Sequence, residues 1–322
     1  MERLISVLRG RSLEIALLTA FLGLVLGLWS PSVFKALKQT LPVAIFLMIF
    51  QPMYALDFNA ARRKGLKGRA KFLALVTVFY TLVFPLMTYA YFTAMTGVVS
   101  ARMSLILAGA VLVALAPVAM PAPAFVGIAG GDVELSLLSV VWTFALSFIV
   151  MPYYAYMILH RVVHVPLPLI LKALLLYIAA PFALGQTLRF IVLRTSKTLM
   201  PKVNKLLLAV SLLALYYLIT VVFGASSRII ASSSLEVAAI TGSLFAYFGS
   251  RFGLAYAIGK LTKMSYREVV PLVYAATGNG AIGIALSLSA FGPLALTGAV
   301  LAGPLVLVIL MTVCLKLAVR RG

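Results

Sequence analysis

Thr277, Gly278, Asn279 and Gly280 follow one another inside an otherwise apolar stretch that runs from Tyr266 to Gly292. The hydroxyl and the amide bring hydrogen-bonding groups into that stretch, and the two glycines let a ligand approach the backbone. A second apolar stretch, Ser104 to Gly131, is interrupted by Pro117, Pro121 and Pro123. Proline has no N–H and clashes with the preceding turn of a helix, so with three of them close together this stretch is expected to break as well. Each break leaves two half-helix ends, with about +0.5 charge at an N-terminal end and about −0.5 at a C-terminal end. Amides of the second halves, around Phe125–Gly127 and Ala281–Gly283, suit a carboxylate or another anion. Carbonyls of the first halves, near Ala116 and Ala276, suit a cation. Thr277 and Asn279 are therefore expected to line a substrate or ion site shaped by Gly278, Gly280, Pro117, Pro121 and Pro123. The competing role for Asn279 is to satisfy backbone groups of the broken helix.

Other polar residues in apolar surroundings are few. Arg251 sits in the run FGSRFG. A cation inside an apolar helix is a functional candidate, either pairing with an anionic substrate or snorkelling toward the cytoplasm. Gln51 is expected to touch substrate or, like Gln186, to bond a neighbouring helix. Lys172 lies near a span end and is expected to reach the outer interface. Asp132 follows two glycines, the pattern of a helix stop followed by the cap of the next helix, with Glu134 in the first turn. Glu268 suits the start of its own helix, and Asp57 is expected to pair with Arg62 and Arg63. His160 and His164 are four apart without a third ligand nearby. Cys314 is the single cysteine, so neither an internal disulfide nor a thiolate metal site can form.

Hydrophobic residues make up 63% of the 322, and only 34 side chains are charged. So few charges cannot cover a soluble domain of this size, and the bilayer must be the solvent. Ten stretches are long enough to cross, or nearly so: 13–29, 40–57, 72–95, 104–129, 133–159, 167–191, 206–224, 235–259, 267–290 and 294–317. The first follows a basic segment like a signal peptide, but no small-x-small cleavage site follows Trp29, so this span is expected to stay attached. Placing both termini in the cytoplasm puts 20 basic residues inside and 5 outside, as the positive-inside rule requires. The net charge of +20 thus reads as cytoplasmic loops rather than a nucleic-acid surface.

Ten spans divide at His160–Pro168 into five-helix repeats, 1–159 and 166–322, that face opposite ways. The two broken stretches are the fourth and ninth spans, matching places in the two halves. The fifth-span prolines also match: Pro152 and Pro304 fall 140 and 138 residues after Ser12 and Pro166. Paired interrupted spans mark the binding site of a secondary transporter. The expected fold is therefore an all-α membrane protein, with ten transmembrane helices in a 5+5 inverted repeat and discontinuous, crossing helices 4 and 9.

Three segments carry a family resemblance: FQPMYALDFNAARR (Phe50–Arg63), AGGDVELSL (Ala129–Leu137) and YAATGNGAIGIALSLSAFG (Tyr274–Gly292). Together with the layout, they resemble the bile acid:sodium symporter superfamily, which includes the arsenite-efflux permeases. The resemblance implies a panel domain of spans 1, 2, 6 and 7 and a core domain of spans 3–5 and 8–10. It also implies that helices 4 and 9 cross near the midplane and that one domain moves against the other. Sodium is the coupling ion it implies, with proton coupling or uniport as alternatives. Sodium-coupled members carry side-chain oxygens in span 4, where this chain reads Pro121-Ala122-Pro123-Ala124. They also carry a glutamate in span 9, near Tyr274–Ala276. Arsenite permeases carry a cysteine near Val118 and a glutamate near Ala281. This chain has neither pair.

The expected function is secondary transport of a small organic anion across the cell membrane. The alternatives are metalloid efflux and, from another class, a passive channel. Enzyme chemistry is not expected, because both histidines lie in one loop and no nucleophile–base set forms. The phosphate-binding Gly-Lys-Ser/Thr motif of ATP-driven pumps is absent too. No cofactor is expected beyond the implied sodium, and the partners are an anionic small molecule and the lipid bilayer.

Overall fold

The computed structural model describes residues 12–56, 69–160, 162–196 and 198–319. Helices account for nearly all of them, and no strand occurs among the described residues. Asp57, Arg62 and Arg63 lie outside them, as do Arg3, Arg9, Arg11, Lys64, Lys67, Arg161, Lys197, Arg320 and Arg321.

Helix α1 (Ser12–Trp29) stops at Ser30-Pro31, and α2 (Pro31–Leu37) leads through a 3-10 turn (Lys38–Thr40) into α3 (Leu41–Ala55). A π-helical turn, Phe79–Val83, joins α4 (Ala70–Val78) to α5 (Phe84–Thr96). Then come α6 (Ala101–Leu115), α7 (Ala122–Ile128) and α8 (Val133–Leu159). A second π-helical turn, Leu175–Ala179, links α9 (Leu167–Leu174) to α10 (Ala180–Thr195), and α11 (Leu199–Ser232) and α12 (Ser234–Leu261) follow. The last elements are α13 (Tyr266–Ala275), α14 (Gly280–Leu286), α15 (Gly292–Val300) and α16 (Val308–Val319).

Among the described residues, six helical stretches are long and apolar enough to cross a membrane: Pro31–Ala55, Ala70–Thr96, Val133–Leu159, Leu167–Thr195, Leu199–Ser232 and Tyr266–Ala318. Glu14–Trp29 and Ala101–Leu115 are apolar and shorter. The stretch expected at 206–224 is a 34-residue helix, because a helix keeps its backbone bonds past the point where its side chains turn polar. Gly292, at φ 77° and ψ −158°, holds a conformation open to glycine alone. It ends the π-helical turn Ser287–Phe291 and starts α15 without an intervening loop.

Caps follow from local sequence. Asp132 accepts from the amides of Glu134 and Leu135 at 2.9 and 3.1 Å, as the Gly-Gly-Asp step predicts. Gly130 takes φ +74°, and Gly131 donates back to the Val126 carbonyl, closing α7. Ser265 and Glu268 form a reciprocal capping box at α13. Glu134 also pairs with Arg69.

Helix α11 packs along α1 and α3, and α10 packs on α3. Helix α6 packs along α15 and against α14, α5 and α8. Lipid offers no hydrophobic drive between helices, so such contacts rest on close backbone approach.

Candidate functional site

Pro117 pushes Ala116 out of the helical region to φ −64°, ψ 152°, so α6 ends at Leu115. The chain runs unwound until Pro121, and Pro123 stands in the first turn of α7, where no N–H is missed. The orphan groups of this break find partners on four other segments. The carbonyl of Ala114 accepts from Arg251 Nη1 at 2.9 Å, and that of Leu115 accepts from the Tyr80 hydroxyl at 3.1 Å. The Val118 amide donates to Thr143 Oγ1 and the Ala119 amide to Thr277 Oγ1, both at 3.1 Å. Phe125 donates its amide to the Pro121 carbonyl. The second half-helix thus begins at Ala122, and the anion-binding role expected for the Phe125–Gly127 amides moves away from the helix end.

The second break lies against the first. Helix α13 ends at Ala275, and Asn279, at φ −105°, ψ 103°, caps α14 by accepting the Ile282 amide on Oδ1 at 3.3 Å. Thr277, 1% exposed, donates to the Tyr274 carbonyl at 2.8 Å while accepting from Ala119. A Cβ on Gly278 would stand 1.9 Å from the Val113 carbonyl oxygen. A Cβ on Gly280 would stand 2.9 Å from the Gly303 Cα. The glycines therefore serve to bring backbone against backbone.

One side-chain atom of this second break is left without a partner. Asn279 is 3% exposed, and its Nδ2 has no hydrogen bond. Its orientation is settled by the cap, since Oδ1 faces a donor. The break thus presents a desolvated N–H group in need of an acceptor.

A sequence model of the Sodium Bile acid symporter family matches residues 42–233. The chain belongs to this family. An uncharacterized transporter of Synechocystis sp. is 24% identical over 327 residues, covering 92% of this chain and 85% of its own length. The protein is a transporter and not an enzyme. The family match takes in the first break and stops before the second, so the pairing of the two is a property read from this structure.

Other candidate residues of this family member sit in different surroundings. Arg251 does not snorkel. It is 1% exposed, bonded to the Ala114 carbonyl, with its guanidinium carbon 4.2 Å from the centre of the Phe84 ring. The negative end of α6 and an aromatic face hold it at the first break. Gln51 bonds Asn204 of α11 at 3.1 Å, and Gln186 donates to the carbonyls of Met53 and Leu56 at 2.7 and 3.2 Å. Both join neighbouring helices, with Gln186 closing the end of α3. Pro117 is buried, Pro121 exposed and Pro123 between the two. Lys172 is exposed, as expected of a side chain at an interface.

Sequence reasoning missed Tyr80, Thr143 and Tyr247. A signal existed for Thr143: Ser136, Ser139, Thr143 and Ser147 form a fully buried ridge along one face of α8. Tyr80 and Tyr247 looked like any aromatic residue of an apolar helix.

Thr277→Val keeps the side-chain shape and removes the acceptor of the Ala119 amide. An unsatisfied buried N–H costs about 1–3 kcal/mol. Hydrogen exchange at Ala119 is expected to accelerate while Val118, held by Thr143, stays protected. Equal rates at both amides would show that Thr277 does not hold the break.

Proposed function

We propose that this protein is a secondary transporter that moves a small organic anion across the cell membrane by alternating access. In this reading ten helices form a 5+5 inverted repeat with both termini in the cytoplasm. The repeats are 1–159 and 166–322, and helices 4 and 9 cross. Spans 1, 2, 6 and 7 form a panel, and spans 3–5 and 8–10 form a core. The packing supports the division, since α11 lies on α1 and α3 while α6 lies on α15 and α14. The observation that carries the reading is the meeting of two broken helices through Ala119 and Thr277, beside an Asn279 amide group with nothing to donate to. A carboxylate or sulfonate oxygen satisfies that donor, and a charge-assisted bond there is roughly twice as strong as a neutral one. Metalloid efflux fits less well, because neither broken segment carries a cysteine, Cys314 being part of α16, and arsenite favours soft thiolate ligands.

The test begins with thermal stability of the purified protein against short carboxylates, sulfonates, bile acids and arsenite. The anion that raises Tm most is then used for binding and for uptake into proteoliposomes. Asn279→Ala is expected to weaken its binding roughly tenfold or more, the worth of one hydrogen bond to a charged group. Unchanged affinity would remove Asn279 from the site. Currents far above carrier turnover in a bilayer recording would make the protein a channel instead.

A further inference from the structure

The family's name implies a sodium ion, and the side-chain oxygens at the two breaks are poorly arranged to hold one. A hard cation gathers about six oxygen ligands, usually with a carboxylate among them. All seven carboxylates of the chain lie outside the two breaks. Glu268, at the start of α13, is held at the helix N-terminus by Ser265. Thr143 Oγ1 and Thr277 Oγ1 each already donate one bond and accept another. Asn279 Oδ1 is turned toward the Ile282 amide. The two carbonyls at the negative end of α6 are taken by Arg251 and Tyr80.

Arg251 is the unusual member of that set. A guanidinium, always charged, is buried where an apolar membrane protein can least accommodate a charge. No acidic side chain is bonded to it among the described residues. Its compensation consists of the Ala114 carbonyl, the Tyr247 hydroxyl at 3.3 Å and the rings of Phe84, Tyr247 and Phe248 at 4.2, 5.7 and 5.4 Å. Those are the groups that would otherwise draw a cation from solution to the end of α6. A sodium ion arriving there would meet a fixed positive charge.

We propose that Arg251 is a resident cation at the break of span 4, standing where a coupling cation would otherwise be drawn, and that this transporter works without binding sodium. The last clause rests on the transporter reading; the resident charge does not. The guanidinium fixes the end of α6 through every stage of a cycle, because it is covalently attached to α12. Coupling to the sodium gradient is lost, and the break stays formed in sodium-free conditions.

Two measurements on the full-length protein in detergent decide this. Equilibrium binding of radioactive sodium ion is expected to be unsaturable up to about 100 mM. Tm is expected to agree within about 1 °C in sodium chloride and in N-methylglucamine chloride of equal ionic strength, as it must where no specific ion binds. Saturable sodium binding with a rise in Tm would overturn the proposal. The second measurement is hydrogen exchange over residues 112–120. Arg251→Gln keeps a donor for the Ala114 carbonyl and removes the charge, and is expected to speed exchange there roughly tenfold. Arg251→Lys keeps the charge and is expected to stay within about threefold of the parent. A lysine variant that exchanges like the glutamine variant would reduce Arg251 to a neutral strut. If Arg251→Gln does not fold, the sodium measurement on the parent protein decides alone. Absence of any anion uptake would sink the carrier reading while leaving both of these results intact.

Discussion

Gly278→Ala is expected to eliminate transport while leaving most of the helices folded. The backbone of Gly278 does not need glycine for its conformation, since its φ lies outside the positive region. What it needs is space. An added Cβ would lie 1.9 Å from the Val113 carbonyl oxygen and 2.9 Å from the Val113 carbonyl carbon. Both atoms belong to the backbone of α6, so no side chain can rotate away. The two breaks must part by more than an ångström, and Thr277 then loses its reach to the Ala119 amide. Overpacking typically costs about 1–3 kcal/mol, and a backbone clash belongs at the upper end. Tm should fall by roughly 3–5 °C. Uptake into proteoliposomes should drop at least about tenfold, since a site loosened by an ångström loses more than about 1.4 kcal/mol of its interactions. Uptake within a factor of two of the parent would mean that the contact between the breaks is not part of the transport site.

Gly298→Ala should produce the largest loss of stability, and at a place with no polar chemistry. Its Cβ would stand 1.7 Å from the Ile106 carbonyl oxygen, across the seam between α6 and α15. Gly109 makes the reciprocal approach to the Ala295 carbonyl oxygen, also at 1.7 Å. The seam is held by backbone packing, which in a bilayer takes the part that hydrophobic burial plays in water. Separating the helices gives up that packing along the seam, about 3 kcal/mol or more. The same method should show little for Gly249→Ala, because a Cβ at Gly249 meets nothing within 4 Å. Thermal unfolding followed by tryptophan fluorescence or by loss of solubility compares the two. Equal Tm values for the two variants would contradict the close packing of α6 on α15.

The two breaks were legible before any coordinates. The cluster of Pro117, Pro121 and Pro123 and the Thr-Gly-Asn-Gly run disfavour a continuous helix, and that restriction is local to a few backbone angles. The caps at Asp132 and Glu268 were legible for the same reason, since a cap involves residues two or three apart. The partners of the break were not legible. Arg251 lies 137 residues from Ala114 and Thr277 lies 158 from Ala119. Nothing in the run FGSRFG distinguishes an arginine that snorkels from one that turns inward. Gln51 illustrates the same ambiguity: its polar group was evident, and its choice of Asn204 was not.

Composition and hydropathy alone determined that this chain lives in a bilayer and that two of its apolar stretches are interrupted, because those properties follow from side-chain transfer energies and from backbone sterics within one turn. Only the tertiary structure decided that the interruptions meet and that a guanidinium, rather than a free ion, sits on the negative end of α6. The physical reason is that broken helix ends must be satisfied by whatever the fold brings near them, and in hydrocarbon that partner comes from elsewhere in the chain.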